Sequence, residues 1–409
     1  TTFNFSFKND LKKLWKLSNV DFLFIVKSWP FIIIVIISLL INLVGLSELG
    51  NVFGTPTYPR TWKMLQAGAT FFLFINICTF LYAGNLLHRS RLSNINQLID
   101  TNPTPNWILL GSKFLAIIKM QLVLISLVMI SGILFQIYNG YYDFEIGHYL
   151  YELIILSLIS YIIWAFLSFL IQTLITDRNV GLFVVILLFI GIPLLGAAGV
   201  EQSIFKYGSG PGYAYSDMNG YGSSFNRFFI YKIYWLSLGL VFYIITYLFY
   251  YRGLNSSFKE RIAIAKSRFK GKYPKFLGLF LLIFLSTGGY LYYETNILNK
   301  RTSSKESELQ TVEWEKKYKK YENYDQPRIV SVKVDVNIFP KTLDADAKGT
   351  YVMVNKTSNP IDSLFLNHNS TISTFDFNRE TDLVLEDTLY NFDIYKLKNS
   401  LYPGDSINF

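Results

Sequence analysis

The sequence predicts an all-helical membrane bundle followed by an all-β segment on the outer side of the membrane. Hydrophobic residues make up 51% of the 409 and charged residues only 16%, whereas ordinary soluble chains carry about a quarter charged residues. About seven apolar runs, each near the ~20 residues a helix needs to cross hydrocarbon, fill most of residues 29–294. Beyond them the apolar period changes from helical to alternating.

Residues 1–28 place Lys8, Lys12, Lys13, Lys16 and Lys27 among Leu11, Leu14, Trp15 and Leu17. That is the spacing of a basic amphipathic helix lying on a membrane surface. Phe31 to Leu46 is uncharged and rich in Ile, Leu and Val, and it gives the first span. Runs at about 64–87, 112–137, 150–175, 180–200, 229–251 and 274–294 meet the same criterion. Pro193, with Gly191 and Gly196, predicts a broken or re-entrant helix in the fifth run. Arg89, Arg91 and Lys113 flank the second link, Arg178 sits in the fourth and Lys259 to Lys275 crowd the sixth, whereas Asn139 to Tyr149 has no Lys or Arg. The positive-inside rule therefore puts the N-terminal helix and the even-numbered links in the cytoplasm, and seven crossings carry the C-terminal segment outside.

After the last span, Lys305 to Glu322 alternates acids and bases at helical spacing, a solvated stalk ended by Pro327. Val330, Val332, Val334, Val336 and Ile338 then alternate with polar residues, the mark of a half-buried strand. Tyr351 to Val354, Leu364 to Leu366 and Thr388 to Tyr395 repeat the pattern. The expected order is an elbow helix at 1–28, six spans over 29–252 and a basic cytoplasmic link at 253–273. A seventh span at 274–294, a stalk at 295–327 and an incomplete β-domain at 328–409 follow. The chain begins Thr1-Thr2 without methionine and stops mid-pattern at Phe409, so it reads as part of something longer.

The net charge of +9 does not point to nucleic acid, because the basic residues lie beside apolar spans rather than in a separate domain. Cys78 is the single cysteine, and His88, His148 and His368 share no helical face, which leaves little to build a metal site on. The Gly208 to Gly212 loop lacks the Gly-Lys-Ser or Gly-Lys-Thr of a Walker loop. Asn355-Lys356-Thr357 matches a glycan acceptor by chance. Polar residues inside spans are functional candidates by default, since burying them in hydrocarbon is costly. Asn76, Asn85, Lys119 and Gln172 qualify. The amides read as interhelical hydrogen-bond glue and Lys119 as snorkelling to the cytoplasmic face.

The stretch HRSRLSNINQLIDTNPTPNWILLGSKF, from His88 to Phe114, resembles the cytoplasmic link of type-2 ABC export permeases. The resemblance implies a coupling helix near 89–100 that sits on a separate ATPase subunit through Arg91, Asn94, Ile95, Gln97, Leu98, Ile99 and Asp100. Leu92, Ile95, Leu98 and Ile99 fall on one helical face, which agrees. The elbow helix and the long outer loop between spans five and six also fit, so the resemblance covers about residues 1–252. YSDMNGYG in that loop, with Tyr215, Ser216, Asp217, Asn219 and Tyr221, is similar to permeases of this class fused to an aminopeptidase-N-like gluzincin module in Bacteroidota. PRIVSVKVDVNIF and the text after it resemble the first strands of such a module. There is no His-Glu-x-x-His and no Gly-x-Met-Glu-Asn, so no zinc peptidase chemistry is expected of these residues.

The expected function is thus the permease subunit of an ATP-driven exporter in a bacterial inner membrane. ATP and Mg would sit on a partner ATPase, and a second permease half would complete the path. The chain itself holds no cofactor, and zinc enters only if a peptidase domain follows. Two alternatives stay open: the membrane anchor of a periplasmic zinc aminopeptidase, and a structural or lipid-scrambling scaffold. The uncharged, aromatic-rich path suits lipid, peptide or other hydrophobic cargo.

Overall fold

A computed structural model describes residues 6–409 except 50, 53–54, 219, 223, 254–256, 300, 340–343 and 369–373. The chain divides into two units, Thr1–Arg301 and Thr302–Phe409.

In the first unit, α1 (Phe7–Val26) is the expected amphipathic helix, with Phe7, Leu11 and Trp15 exposed. Ser28 breaks it by turning extended, and Pro30 in the first turn of α2 (Trp29–Glu48) suits a helix start, where the missing N–H has no partner to lose. Two-residue strands β1 (Asn51–Val52) and β2 (Thr55–Pro56) pair beyond it. The expected second span is split at Ala69-Thr70 into α3 (Thr61–Gly68) and α4 (Phe71–Leu92). A short α5 (Asn96–Asp100) leads to α6 (Asn106–Tyr138), which at 33 residues far outruns the predicted span. The fourth run opens as α7 (Ile146–Leu150), widens into a π-turn over Tyr151–Ser157 and continues as α8 (Leu158–Leu174).

The fifth run departs from expectation. Helix α9 (Arg178–Leu194) has 17 residues and ends one residue after Pro193, and among the described residues only a 3₁₀ turn at Ser203–Phe205 lies between it and the next helix. Its start is fixed by Asp177, whose side chain accepts from the N–H groups of Asn179 and Val180 at 2.8 and 3.0 Å. These bonds hold the Asp177 carboxyl below its usual range. The unit closes with α10 (Ser224–Phe249), α11 (Phe258–Arg268) and α12 (Tyr273–Tyr292). The last continues as a π-turn to Leu298. Among the described residues, six helices are long and apolar enough to cross a membrane, and α9 is the shorter apolar one.

Helix α4 lies at the centre, against α6, α8 and α9, while α1 runs along α6 and α10 packs on α8 and α12. Its buried Phe71, Ile75, Tyr82 and Leu86 meet Ile117 and Leu124 of α6 and Ala165 and Phe169 of α8. Lipid tails are as apolar as these side chains, so between spans close packing and polar pairs hold the bundle, not the release of water. Both devices are present. A Cβ at Gly239 of α10 would lie 2.5 Å from the Phe166 ring, and Asn42 of α2 donates to Ser131 of α6 at 2.9 Å. The outward faces of α2 (Ile33, Ile36, Leu40, Val44) and α12 (Leu279, Leu282, Leu285) stay apolar and uncovered.

In the second unit, α13 (Ser304–Tyr318) is the predicted charged helix, opened by a capping box between Ser303 and Glu306. Six strands follow: β3 (Arg328–Phe339), β4 (Asp344–Val354), β5 (Ile361–Asn367), β6 (Thr381–Asp387), β7 (Phe392–Leu401) and β8 (Ser406–Asn408). They form two antiparallel three-stranded sheets, ordered β3-β4-β8 and β5-β7-β6. Two expectations need correction. Strand β3 is exposed along its whole length rather than half-buried, because β8 pairs with β4 only at Val352–Val354 and the outer hairpin has no covering layer among the described residues. The predicted strand Thr388 to Tyr395 is half turn, with Asn391 in the left-handed region at φ 51° between β6 and β7. Asn355, 1% exposed, donates to the carbonyls of Asn359 and Leu401, so its amide is committed to the fold and unsuited to carrying a glycan.

Candidate functional site

The inter-span link from Ser90 to Pro105 is built differently from the single amphipathic helix expected near 89–100. Helix α4 keeps Arg91 and Leu92 in its last turn, and Asn94 at φ 53° breaks the chain direction. Only five residues, Asn96–Asp100, then form α5, with Ile95 before it. Asn tolerates the left-handed region better than most residues, and no sequence period signals the break. Leu92, Ile95 and Leu98 are 61%, 45% and 78% exposed, so the apolar residues do project outward, though not from one continuous helix.

The link is clasped to the C-terminal end of α10. Arg91 donates to the Tyr251 carbonyl at 3.2 Å and stacks 3.7 Å from the centre of the Tyr251 ring. Asp100 accepts from the Gly253 N–H at 2.7 Å, where Gly253 has φ +91°, a conformation that favours glycine. Arg252 donates to the carbonyls of Thr104 and, at 3.3 Å, Asn102. From α11, Arg261 donates to Thr173 and Leu174 at the end of α8, and Arg268 to Tyr250 and Leu248 at the end of α10. Helix C-termini leave carbonyls without partners, and guanidinium forks satisfy them while complementing the negative end of the dipole. Burial draws the pKa of Arg261 below its ordinary value. A cavity of about 30 Å³ lies inside this junction, lined by His88, Arg91, Gln172, Thr173 and Tyr251. Gln97 and Leu98 are exposed on the link, and Ile99 is half-buried.

The span candidates are brought to separate places. Asn76 is fully buried and donates to the Phe72 carbonyl of its own helix at 2.8 Å. Asn85 accepts from Arg178 at 3.0 Å, tying α4 to the start of α9. Gln172 sits between Gly84 and Gly181, where a Cβ would come within 2.7 and 2.6 Å of its amide. Lys119 reaches α1, where its ammonium donates to Ser18 and Asn19, both at 2.6 Å, and lies 3.5 Å from the centre of the Trp15 ring. Sequence reasoning missed Gln121, which donates to Thr79 at 3.0 Å and joins α6 to α4, although a buried glutamine amid an apolar run is itself the signal.

At the opposite end, Tyr215 and Tyr221 gather with Tyr213 around the π-turn. Glu152 accepts from His148 (3.1 Å), Tyr221 (3.2 Å) and Tyr213 (3.3 Å), and the His148 and Tyr215 rings meet edge-on at 4.0 Å. Burial first, then the Glu152 charge, pushes the Tyr213 phenol up, keeping it a donor. Ser216 closes a tight turn with Gly220, their backbones exchanging bonds at 2.9 and 2.7 Å. Asp217 binds Arg60 at 2.6 Å and Trp62 at 3.3 Å, and its charge raises the Arg60 pKa. Asn219 lies outside the described residues. No family model, curated protein or solved structure matches the chain.

Proposed function

We propose that the chain is a multi-pass permease subunit of an ATP-driven exporter in a bacterial inner membrane, docking a separate ATPase subunit through the Ser90–Pro105 link. The observation that carries this reading is the link itself. It is bound at both ends to the inner end of α10 by Arg91, Asp100 and Arg252, yet presents Leu92, Ile95 and Leu98 outward with no covering layer among the described residues. A surface knob rigidly tied to span ends can pass a rigid-body push from a partner into the bundle. ATP and Mg belong to the partner ATPase, and a second permease half completes the path. The N-terminal helix is cytoplasmic in this reading, and the unit Thr302–Phe409 is periplasmic.

The test is reconstitution with the ATPase subunit. Leu98 is 78% exposed, so Leu98→Asp leaves the fold intact and abolishes permease-stimulated ATP hydrolysis. Unchanged stimulation would count against the docking role. A second reading, the membrane anchor of a periplasmic zinc aminopeptidase, draws on the separate compact unit after Arg301. Zinc-dependent release of an N-terminal amino acid by the full-length protein would favour it.

A further inference from the structure

A groove of about 430 Å³ opens between the end of α1, the turn into α2 and the last turn of α4, lined by Val20, Leu23, Phe24, Lys27, Ser28 and Arg89. We infer that this groove binds an anionic phospholipid, its phosphodiester between Lys27 and Arg89 and an acyl chain along Val20, Leu23 and Phe24.

Depth is the first argument. Lys27 directly precedes α2, whose apolar length begins at Trp29, and Arg89 lies in the last turn of α4. Both cations therefore stand where spans leave the hydrocarbon, the level of headgroup phosphates. Trp29, 76% exposed, marks the same level. Charge is the second argument. Arg89 donates to Asp21 at 3.3 Å, and Lys113 approaches the same carboxylate at 3.9 Å. Lys27 is exposed and its ammonium has no hydrogen-bond or ion-pair partner among the described residues. Three cations against the single carboxylate of Asp21 leave two positive charges uncompensated. Shape is the third. The groove wall is apolar on the α1 side, where Val20 and Leu23 are 58% and 47% exposed, and Phe24 packs under the Arg89 guanidinium with 4.0 Å to its ring centre. A free anion would use only the cations, whereas a lipid uses both walls.

The inference rests on the membrane-spanning part of the functional reading and not on ATP coupling. Loss of ATPase stimulation in Leu98→Asp would therefore not bear on it, nor would its failure bear on ATPase docking. The experiment is native mass spectrometry of the intact protein released from mixed micelles holding phosphatidylglycerol and phosphatidylcholine. The wild type should retain phosphatidylglycerol over phosphatidylcholine, and Lys27→Glu should weaken that retention by at least about fivefold, the worth of one interfacial cation. Lys27→Arg should keep it. An unchanged unfolding midpoint confirms that the variants fold, as expected for an exposed side chain without partners. Equal retention of both lipids, or undiminished phosphatidylglycerol on Lys27→Glu, would overturn the inference. So would displacement by millimolar inorganic phosphate, which would make this a free-anion site.

Discussion

Gly239 shows how one absent side chain sets the distance between two spans. Its Cβ position lies 2.5 Å from Phe166, whose ring stacks on Phe114 at 4.7 Å and meets Tyr243 at 5.7 Å, so the ring has no slack to give. Gly239→Ala is expected to cost about 1–3 kcal/mol by overpacking, read as a lower unfolding midpoint in detergent. In the second unit, Asp387 accepts from Lys317 at 2.5 Å, from the Tyr318 hydroxyl and from the N–H groups of Leu389 and Tyr390. The Lys317 bond, then the Tyr318 bond, pulls its pKa down to about 2 from an ordinary 3.8. A depressed carboxyl stabilises the fold above its unfolded pKa, and that contribution fades as the pH falls from about 4 through about 2. Amide exchange over residues 381–401, corrected for intrinsic rates, should lose protection across that window. Asp387→Asn should flatten the dependence. The lysine, the tyrosine and the aspartate are all visible in the text, but nothing in their spacing announces that they meet.

Among the elements, α11 does more than the basic topology signal its composition suggests. A capping box of Ser257 and Glu260 starts it, and it lays Arg261 and Arg268 on the carboxyl ends of α8 and α10. Arg261 is only 2% exposed. Arg261→Ala strands the Thr173 and Leu174 carbonyls without their donor, at about 1–3 kcal/mol. The expected readout is a lower unfolding midpoint with faster exchange in the last turn of α8, and a variant as stable as wild type would refute the clasp. The sequence made these arginines legible as charge but not as caps, because capping depends on which helix end folds beside them. The same limit explains the link. Its apolar residues were readable, whereas its division into a helix end, a left-handed Asn94 and a five-residue α5 was not, since a helical period survives a break that preserves phase.

At the scale of the whole molecule, α9 decides topology. Six long helices alone would return the chain to its starting side, and a crossing by α9 makes the count odd. Its 17 residues rise about 26 Å, a little short of the roughly 30 Å of hydrocarbon, a mismatch that local thinning and flanking polar residues absorb at modest cost. We expect α9 to cross. Cys78, the lone cysteine, is fully buried and silent to reagents, so single-cysteine labelling can be read directly. In spheroplasts, an impermeant maleimide should label Lys305→Cys at once and Lys8→Cys only after permeabilisation. Labelling of both from one side would mean that α9 stays in the interface.

The sequence by itself determined that the chain carries membrane-length apolar helices, where most of them begin and end, and that strands follow. Hydropathy and period are local properties, summed over neighbours along the chain. Tertiary structure alone decided which helix ends share a junction. Arg252 holds the Thr104 carbonyl 148 residues away, Arg261 caps Thr173 across 88, and the Lys27–Arg89 groove joins the end of α1 to α4 with α2 and α3 between them in sequence. Such pairings depend on helix packing in three dimensions, which leaves no period in the text to read.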